Sequence, residues 1–142
     1  MTDAAPRERG AGGFTFPIRV YWEDTDAGGI VFYANYLKYF ERARTEWLRS
    51  LGVSQQRLRD EAGGMFVVSE TAVRYLRPAR LDDELLVTAR LETSGVASLV
   101  IAQQAWLAET LVAQGTIRIA WVDAASLKPG RIPPKILETL PR

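Results

Sequence analysis

Hydrophobic and polar residues alternate near the start of the chain, in the pattern of a strand with one buried face. From position 14 to position 22, every second residue is apolar: Phe14, Phe16, Ile18, Val20 and Trp22. A period of two is that of a β-strand, so this segment is predicted to lie half-buried in a sheet. Pro17 has no N–H to donate to a neighbouring strand, which predicts an edge position.

The pattern then changes to the period of a helix. Apolar residues recur every three or four positions and define one broad face: Tyr36, Phe40, Ala43, Trp47 and Leu51. The opposite side is mostly charged, which is typical of a surface helix that covers a core. Asn35 is the candidate N-cap of this helix, and Gly52 is expected to end it.

The period of two returns at position 65 and continues almost to the end of the chain. Four more strands are predicted at residues 65–76, 84–92, 98–107 and 111–122, with a short helical turn at 54–61 and a short helix or extended tail at 132–140. The short links between these strands favour antiparallel neighbours. Residues 14–142 are therefore predicted to form one two-layer α+β domain, and residues 1–13 a loose tail.

Composition narrows the classes of function. Of the 142 residues, 18 are Lys or Arg and 17 are Asp or Glu, so the net charge is +1. This balance gives no reason to expect a nucleic acid or an anionic membrane as partner. No apolar run is long enough to span a bilayer, and the first residues lack the hydrophobic region of a signal peptide. The predicted location is the cytoplasm.

The chain has no Cys and no His. Disulfides, zinc sites of the Cys/His type, thiol nucleophiles and Ser-His arrangements are therefore excluded. Carboxylates, hydroxyls, Lys, Arg or backbone amides must carry any reaction, and neither a metal nor a cofactor is expected.

The candidate chemistry lies between the first strand and the long helix, in the segment from Glu23 to Gly29, which we call the acidic turn. Backbone N–H groups at the start of a helix lack intrahelical acceptors and favour a negatively charged oxygen. Gly28 and Gly29 would let a ligand approach the backbone closely. In the absence of His, Asp26 is the obvious group to attack a carbonyl or to activate water, while the amides stabilise the oxyanion.

A purely structural role stays open for this motif, because Asp and Gly are also the ordinary residues of turns. Glu23 and Asp24 are interpreted as hydrogen-bonding residues at the end of the strand. Glu41 and Glu46 on the helix are further candidate acids, but a solvated or ion-paired face is the favoured interpretation for both.

The run from Val20 to Arg49 resembles the signature of the 4-hydroxybenzoyl-CoA thioesterase family, specifically its Tol-Pal-associated acyl-CoA thioesterase branch. The segment from Tyr75 to Asp83 resembles a second block of that family, and the likeness covers about residues 19–131. It implies the hotdog fold, in which a curved antiparallel five-stranded sheet wraps a long central helix. It also implies a homo-oligomer, either a dimer or a dimer of dimers (a homotetramer), with active sites between subunits.

The same resemblance implies roles for individual residues. It makes Asp26 the catalytic carboxylate and the amide of Tyr33 the group that polarises the carbonyl. The branch usually has His at the position of Tyr33, whereas hydroxybenzoyl-specific relatives have Tyr, so we interpret Tyr33 as a backbone donor whose ring lines the acyl pocket. Apart from the resemblance, Arg77 and Arg80 could meet the phosphates of coenzyme A, because arginine suits bidentate phosphate binding, although each alone is more typical of surface charge. The residues predicted to bind substrate are Gly28, Gly29, Phe32, Arg77 and Arg80.

The predicted function is that of an acyl-CoA thioesterase, which releases a carboxylic acid and free coenzyme A with Asp26 as general base or nucleophile. The alternative is a hotdog module that binds acyl-CoA or an acyl carrier without turnover, as the unusual Tyr33 suggests. Hydratase or dehydratase chemistry, which occurs in other hotdog proteins, is disfavoured because it relies on a catalytic His.

Overall fold

The computed structural model describes residues 13–141, in which one antiparallel sheet packs against a long helix. The strands are β1 (Phe14–Arg19), β2 (Gly64–Tyr75), β3 (Glu84–Ser94), β4 (Ser98–Leu107) and β5 (Thr110–Asp123). The helices are α1 (Asn35–Ser50), α2 (Gln55–Glu61) and α3 (Pro134–Thr139). The predicted strands and helices are thus confirmed to within a few residues. The tail predicted at residues 1–13 lies outside the described residues, except for Gly13.

The strand order in the sheet is β1–β3–β4–β5–β2, and every neighbouring pair is antiparallel. Strands β1 and β2 are the two edges, so the edge position predicted from Pro17 is confirmed. Register shifts interrupt three of the four strand pairs, β2 with β5, β3 with β4 and β4 with β5. Such bulges bend a strand and increase its twist, which lets strands of 10 to 14 residues curve around the helix.

Helix α1 packs mainly on β1, β3 and β4. Most of the predicted apolar face is buried, namely Tyr36, Phe40, Ala43 and Trp47, while Leu51 is half-buried. Leu48 and Tyr39 are buried beside them, and the spacing of the predicted face does not include Tyr39. Positions three and four apart lie on one side of a helix, so these rings and methyl groups form a continuous layer against the sheet. At the end of α1, Gly52 has a φ of +86°, which favours glycine, and it ends the helix as predicted.

One polar pair lies inside this core. Arg44 is 8% exposed and donates from Nη1 to Oε1 of Gln103 at 3.1 Å. The amide nitrogen of Gln103 donates to the carbonyl oxygens of Phe40 and Thr88, at 3.0 and 3.1 Å. Burial lowers the pKa of Arg44 from its ordinary value. The network ties the middle of α1 to strands β3 and β4.

Two predictions on either side of the acidic turn are wrong in detail. Trp22 does not continue the first strand, because β1 ends at Arg19 and Trp22 opens a 3₁₀ turn with 79% of its surface exposed. Asn35 does not cap α1 but is its first residue, and its side chain bonds instead to the carboxylate of Asp24. Both differences have one cause, since Asp24 also accepts the N–H of Tyr21 and so turns the chain out of the sheet.

Candidate active site

The acidic turn is a tight reversal of the chain. Thr25 and Val31 face each other in an antiparallel bridge, and Asp26 donates its N–H to the carbonyl oxygen of Ile30 at 2.9 Å. The N–H of Gly29 donates to the carbonyl oxygen of Asp26, also at 2.9 Å. Gly29 has a φ of +81°, a conformation that residues with a side chain rarely adopt. Asp26 therefore stands at the first position of a turn that requires glycine.

The carboxylate of Asp26 lies exposed above this turn. Its Oδ1 accepts the N–H of Gly28 at 2.8 Å and, more weakly, that of Ile30 at 3.4 Å. Within residues 13–141, Oδ2 has no hydrogen-bond partner. The turn thus orients the carboxylate through one oxygen and leaves the other available to a water molecule or a carbonyl carbon.

The amides of Gly28 and Gly29 are not open to a ligand. Both N–H groups are used inside the turn, one by the side chain and one by the carbonyl of Asp26. A Cβ atom at Gly29 would meet nothing within 4 Å, and one at Gly28 would meet Oδ1 of Asp26 at 3.3 Å. The backbone is accessible here, but its donors are already engaged.

The free donors lie at the start of α1. Phe32 donates its N–H to the carbonyl of Asp24, and Asn35 donates its own to the carbonyl of Phe32, both at 2.8 Å. Between them, the N–H groups of Tyr33 and Ala34 have no acceptor in the described part of the chain. Two successive unbonded amides at a helix start form a site for an oxyanion. Sequence reasoning found Tyr33 but missed Ala34, because a backbone donor leaves no signal in the residue type.

Aromatic rings border these amides. The centroid of Tyr33 lies 4.9 Å from that of Phe32 and 6.0 Å from that of Tyr75, and the centroid of Tyr75 lies 5.7 Å from that of Tyr36. Burial, with smaller contributions from Tyr75 and Asp83, raises the pKa of Tyr36 to about 12. Its hydroxyl is therefore neutral at physiological pH, and the rings form an uncharged wall beside the free amides.

This wall belongs to a larger exposed surface, which we call the open patch: Phe32, Tyr33, Leu37, Val68 and Tyr75, each 44 to 61% exposed. Leu37 lies one helical turn beyond Tyr33 and shares a surface groove with Val68 and Thr71 of β2. The open patch therefore runs from the start of α1 along the inward side of β2. Contiguous exposed apolar surface of this kind is typical of a binding interface or a ligand groove.

Arg80 is held beside the acidic turn by the backbone. Ile30 and Arg80 form an antiparallel bridge, and Val31 donates its N–H to the carbonyl of Ala79 at 2.8 Å. The N–H of Arg80 donates to the carboxylate of Asp83 at 2.8 Å. Its guanidinium is exposed and makes no ion pair with a described residue.

Arg77 follows directly after β2 and its aromatic residue Tyr75. It donates from Nη1 to the carbonyl oxygen of Leu76 at 2.9 Å and is otherwise exposed, without a carboxylate partner among residues 13–141. The predicted pair of arginines is thus brought to the side of the site where β2 ends, and both retain donors for an anion.

The other candidate acids lie on helix α1, where Glu41 lines the same groove as Leu37 and Val68. Glu41 is exposed and accepts the hydroxyl of Thr45 at 3.2 Å, while Glu46 pairs with Arg49. The solvated, ion-paired interpretation of this helix face is confirmed. Residues 13–141 contain no group of three or more His, Cys, Asp or Glu side chains placed to hold a metal ion. None of their helices is long and apolar enough to cross a bilayer.

Residues 20–140 match the family model of the thioesterase-like superfamily. The chain belongs to that superfamily. Within it, the acyl-CoA thioesterase YbgC of Haemophilus influenzae is 42% identical over 124 residues, which make up 87% of this chain and 91% of that protein. The acyl-CoA thioester hydrolase YbgC of Escherichia coli O6:H1 is 43% identical over 125 residues, or 87% of this chain and 92% of that protein.

Solved structures of this superfamily share the architecture. The structure of a probable thioesterase from Bartonella henselae matches with a TM-score of 0.80 at 32% identity, and the match covers 85% of this chain and 99% of that one. The fold is the hotdog fold. The resemblance to the thioesterase family and the predicted fold are both confirmed, while the Tol-Pal association stays a prediction.

Proposed function

We propose that residues 14–142 form one hotdog thioesterase domain that hydrolyses acyl-CoA to a carboxylic acid and free coenzyme A. One observation carries the proposal. The carboxylate of Asp26 keeps one oxygen free on the turn that leads to two unbonded amides, those of Tyr33 and Ala34. Membership of the thioesterase-like superfamily supports it. The proposed location is the cytoplasm.

In the proposed reaction the thioester carbonyl oxygen accepts the N–H groups of Tyr33 and Ala34. As a general base, Asp26 takes a proton from water through Oδ2 while the water oxygen attacks the carbonyl carbon. The amides stabilise the charge on the tetrahedral oxyanion. When the carbon–sulfur bond breaks, the thiolate leaves and receives the proton that Asp26 holds.

The second route uses the same atoms in another order. Asp26 attacks the carbonyl carbon directly and expels the thiolate, which gives a mixed anhydride between Asp26 and the acyl group. Water then cleaves the anhydride and restores the carboxylate. The free Oδ2 atom fits both routes, so the choice between them needs an isotope experiment.

Substrate binding is assigned to the surroundings of these groups. The rings of Phe32, Tyr33 and Tyr75 would line the acyl group, because they form an exposed apolar wall next to the free amides. Gly28 and Gly29 would allow the thioester to approach the turn. Arg77 and Arg80 would bind phosphates of coenzyme A, as both guanidiniums are exposed on that side.

We also propose that the protein is a homo-oligomer, a dimer or a dimer of dimers, in which a second copy covers the open patch. A monomer would leave five large apolar side chains in water beside β2, which is itself an edge strand of 12 residues. Long exposed edges and apolar patches are typical of surfaces that pair with another chain. The acyl group would then bind between subunits.

The substitution Asp26→Asn tests the catalytic assignment. The amide oxygen can still accept the N–H of Gly28, so the turn is kept while the base is lost. We expect the rate to fall by about 10² to 10⁴, the usual contribution of general acid–base catalysis. Glu23→Gln, which removes an exposed acid from the same segment, is the matched control and should keep full activity. Folded Asp26→Asn protein with wild-type turnover would refute the assignment.

Single-turnover hydrolysis in oxygen-18 water distinguishes the two routes, since label in the Asp26 carboxylate requires the anhydride. The alternative function is acyl-CoA or acyl-carrier binding without turnover, and the absence of an imidazole at Tyr33 favours it. Tight acyl-CoA binding by the wild type with no release of thiol in a thiol-reagent assay would establish that alternative.

A further inference from the structure

The two aspartates of the acidic turn lie in opposite environments. Asp26 is exposed, whereas Asp24 is only 4% exposed. A buried carboxylate is unfavourable unless hydrogen bonds or an opposite charge compensate it. No Lys or Arg of residues 13–141 forms an ion pair with Asp24. Its charge is met by neutral donors instead.

These donors precede and follow the acidic turn. The N–H of Tyr21 donates to Oδ2 of Asp24 at 2.9 Å, and the side-chain amide of Asn35 donates to Oδ1 at 2.6 Å. The carbonyl oxygen of Asp24 also accepts the N–H of Phe32 at 2.8 Å. Asp24 therefore binds the residue that precedes the 3₁₀ turn, the residue before the free amides and the residue after them.

Tyr39 adds a third polar group to this buried cluster. Its hydroxyl oxygen is buried and has no partner of standard hydrogen-bond geometry among the described residues. Burial, and after it the negative charge of Asp24, raises the pKa of Tyr39. The phenol therefore stays protonated next to the carboxylate, on the same helix as Asn35.

We infer that Asp24 is a positioning residue, which holds the Asp26 carboxylate and the amides of Tyr33 and Ala34 in one fixed arrangement through its bonds to Phe32 and Asn35. The inference rests on the proposed function, because it assigns Asp24 to the same site. Phe32 and Asn35 flank the two free amides directly, and Asp26 is two residues away along the chain. Asp24 fixes the distance between base and oxyanion donors without touching the substrate.

The geometry matters because catalysis is sensitive to small displacements. A misplacement of about 1 Å can lower a rate about a hundredfold. A residue that only stabilised the fold would act on unfolding and leave the rate of the folded protein unchanged. The two roles are therefore separable by experiment.

A reciprocal exchange provides the test. Asn35→Asp places a second carboxylate against Asp24, and the repulsion should push the start of α1 away from the acidic turn. The double variant Asp24→Asn, Asn35→Asp restores the pair, since Asn at position 24 can accept the N–H of Tyr21 and donate to Asp at position 35. We expect kcat to fall about a hundredfold in the single variant, with KM little changed, and to recover in the double variant.

Three controls keep the test decisive. Asn35→Ala removes one hydrogen bond without adding a charge, and it replaces Asn35→Asp if that variant does not fold. Glu23→Gln, an exposed acid of the same 3₁₀ turn, should leave kcat unchanged. Thermal unfolding measured on every variant shows whether stability and rate change together. Wild-type kcat in folded Asn35→Ala or Asn35→Asp protein, or recovery of stability without recovery of kcat in the exchange, would overturn the inference.

A second readout does not depend on turnover. In nitrogen-15 spectra, the amide signals of Tyr33 and Ala34 should shift in Asn35→Ala and return toward wild-type positions in the reciprocal exchange. If the wild type hydrolyses no acyl-CoA, the proposed function fails, but these shifts still decide whether Asp24 positions the two amides. Unchanged signals in Asn35→Ala would refute the positioning role by themselves.

Discussion

Helix α1 has two halves built from similar residues in different surroundings. From Phe40 to Leu48 its aromatic and aliphatic side chains are buried against β1, β3 and β4. Just before its start, Phe32 and Tyr33 are exposed beside β2, and so is Leu37 in its first turn. Tyr36 and Tyr39 of the same turns are buried. Large apolar residues therefore form only core in the second half, whereas around the start of the helix they divide between the core and an accessible surface. The difference shows that hydrophobic residues on this helix serve two purposes, and that position relative to the sheet decides which.

The dimensions of the two layers explain the difference. Neighbouring strands lie about 4.8 Å apart, so a five-stranded sheet is roughly 20 Å wide, whereas a helix with its side chains is about 10 to 12 Å across. One helix can cover two or three strands. Here it covers the side that contains β1, β3 and β4, and part of the inward side of β2 stays exposed, at Val68 and Tyr75.

The largest expected effect on stability concerns the buried half of α1, from Phe40 to Leu48. Phe40→Ala should lower the free energy of unfolding by about 3 to 5 kcal/mol, because Phe40 has no exposed surface and its removal leaves a cavity. The same change at Phe32, which is 44% exposed, should lower it by about 1 kcal/mol or less. Urea denaturation of both variants measures the two values. Equal losses would mean that the two halves do not differ in packing.

A charge placed in the open patch should weaken the proposed contact between two copies of the chain. Val68 is 51% exposed in the open patch, so Val68→Asp would put a carboxylate into the proposed contact between copies. We expect light scattering to show a smaller species and hydrolysis to fall with it, since an unpaired buried charge is strongly unfavourable.

Val96 supplies the matched control for this experiment. It is 59% exposed in the turn between β3 and β4, away from the open patch. Val96→Asp should leave both assembly and activity unchanged. If Val68→Asp protein assembles like the wild type, or if the wild type itself is a monomer at micromolar concentration, the open patch does not contact a second copy.

The smallest effect concerns Tyr36, a buried residue at the start of α1 whose ring lies 5.7 Å from that of Tyr75 in the open patch, and it is visible only in alkali. Burial raises the pKa of Tyr36 from its ordinary value of 10.0 to about 12 in the folded protein, so the folded state favours the protonated phenol. This contribution to stability is fully present below pH 10 and is lost as the pH rises toward 12. The difference between the alkaline absorbance titrations of wild type and Tyr36→Phe should show one phenol that ionises near pH 12. Ionisation near pH 10 would mean that Tyr36 is not shielded.

Much of this architecture follows from local pattern. Alternation and short links between strands predict the antiparallel sheet, and Pro17 predicts an edge. The departure of Trp22 from the first strand could not be predicted, because it depends on the carboxylate of Asp24 and its bond to Asn35, eleven residues further along the chain. Contacts across such distances leave no periodic signal.

The candidate site also has parts that the sequence predicts and parts that it does not. Residue type and resemblance single out Asp26 and Tyr33, whose catalytic roles remain predictions. The free amide of Ala34 and the buried state of Asp24 depend on where the helix starts and on which side chains meet in three dimensions. The exposure of the open patch depends on the relative widths of helix and sheet, which no single segment encodes.

The strand order also bears on how the chain reaches this structure. Strands β3, β4 and β5 are neighbours both in sequence and in the sheet, so they can pair through short turns. The two edges need distant partners, since Phe14 pairs with Ala89 and Gly64 with Asp123. Closing long loops slows folding, so we expect the three central strands to form first and β1 and β2 to join later.

During synthesis, β2 therefore leaves the ribosome long before β5, the strand with which it pairs. The apolar residues of β2 stay unpaired until β5 has been synthesised, which favours aggregation. The edge that carries part of the open patch is thus among the last parts of the domain to become ordered.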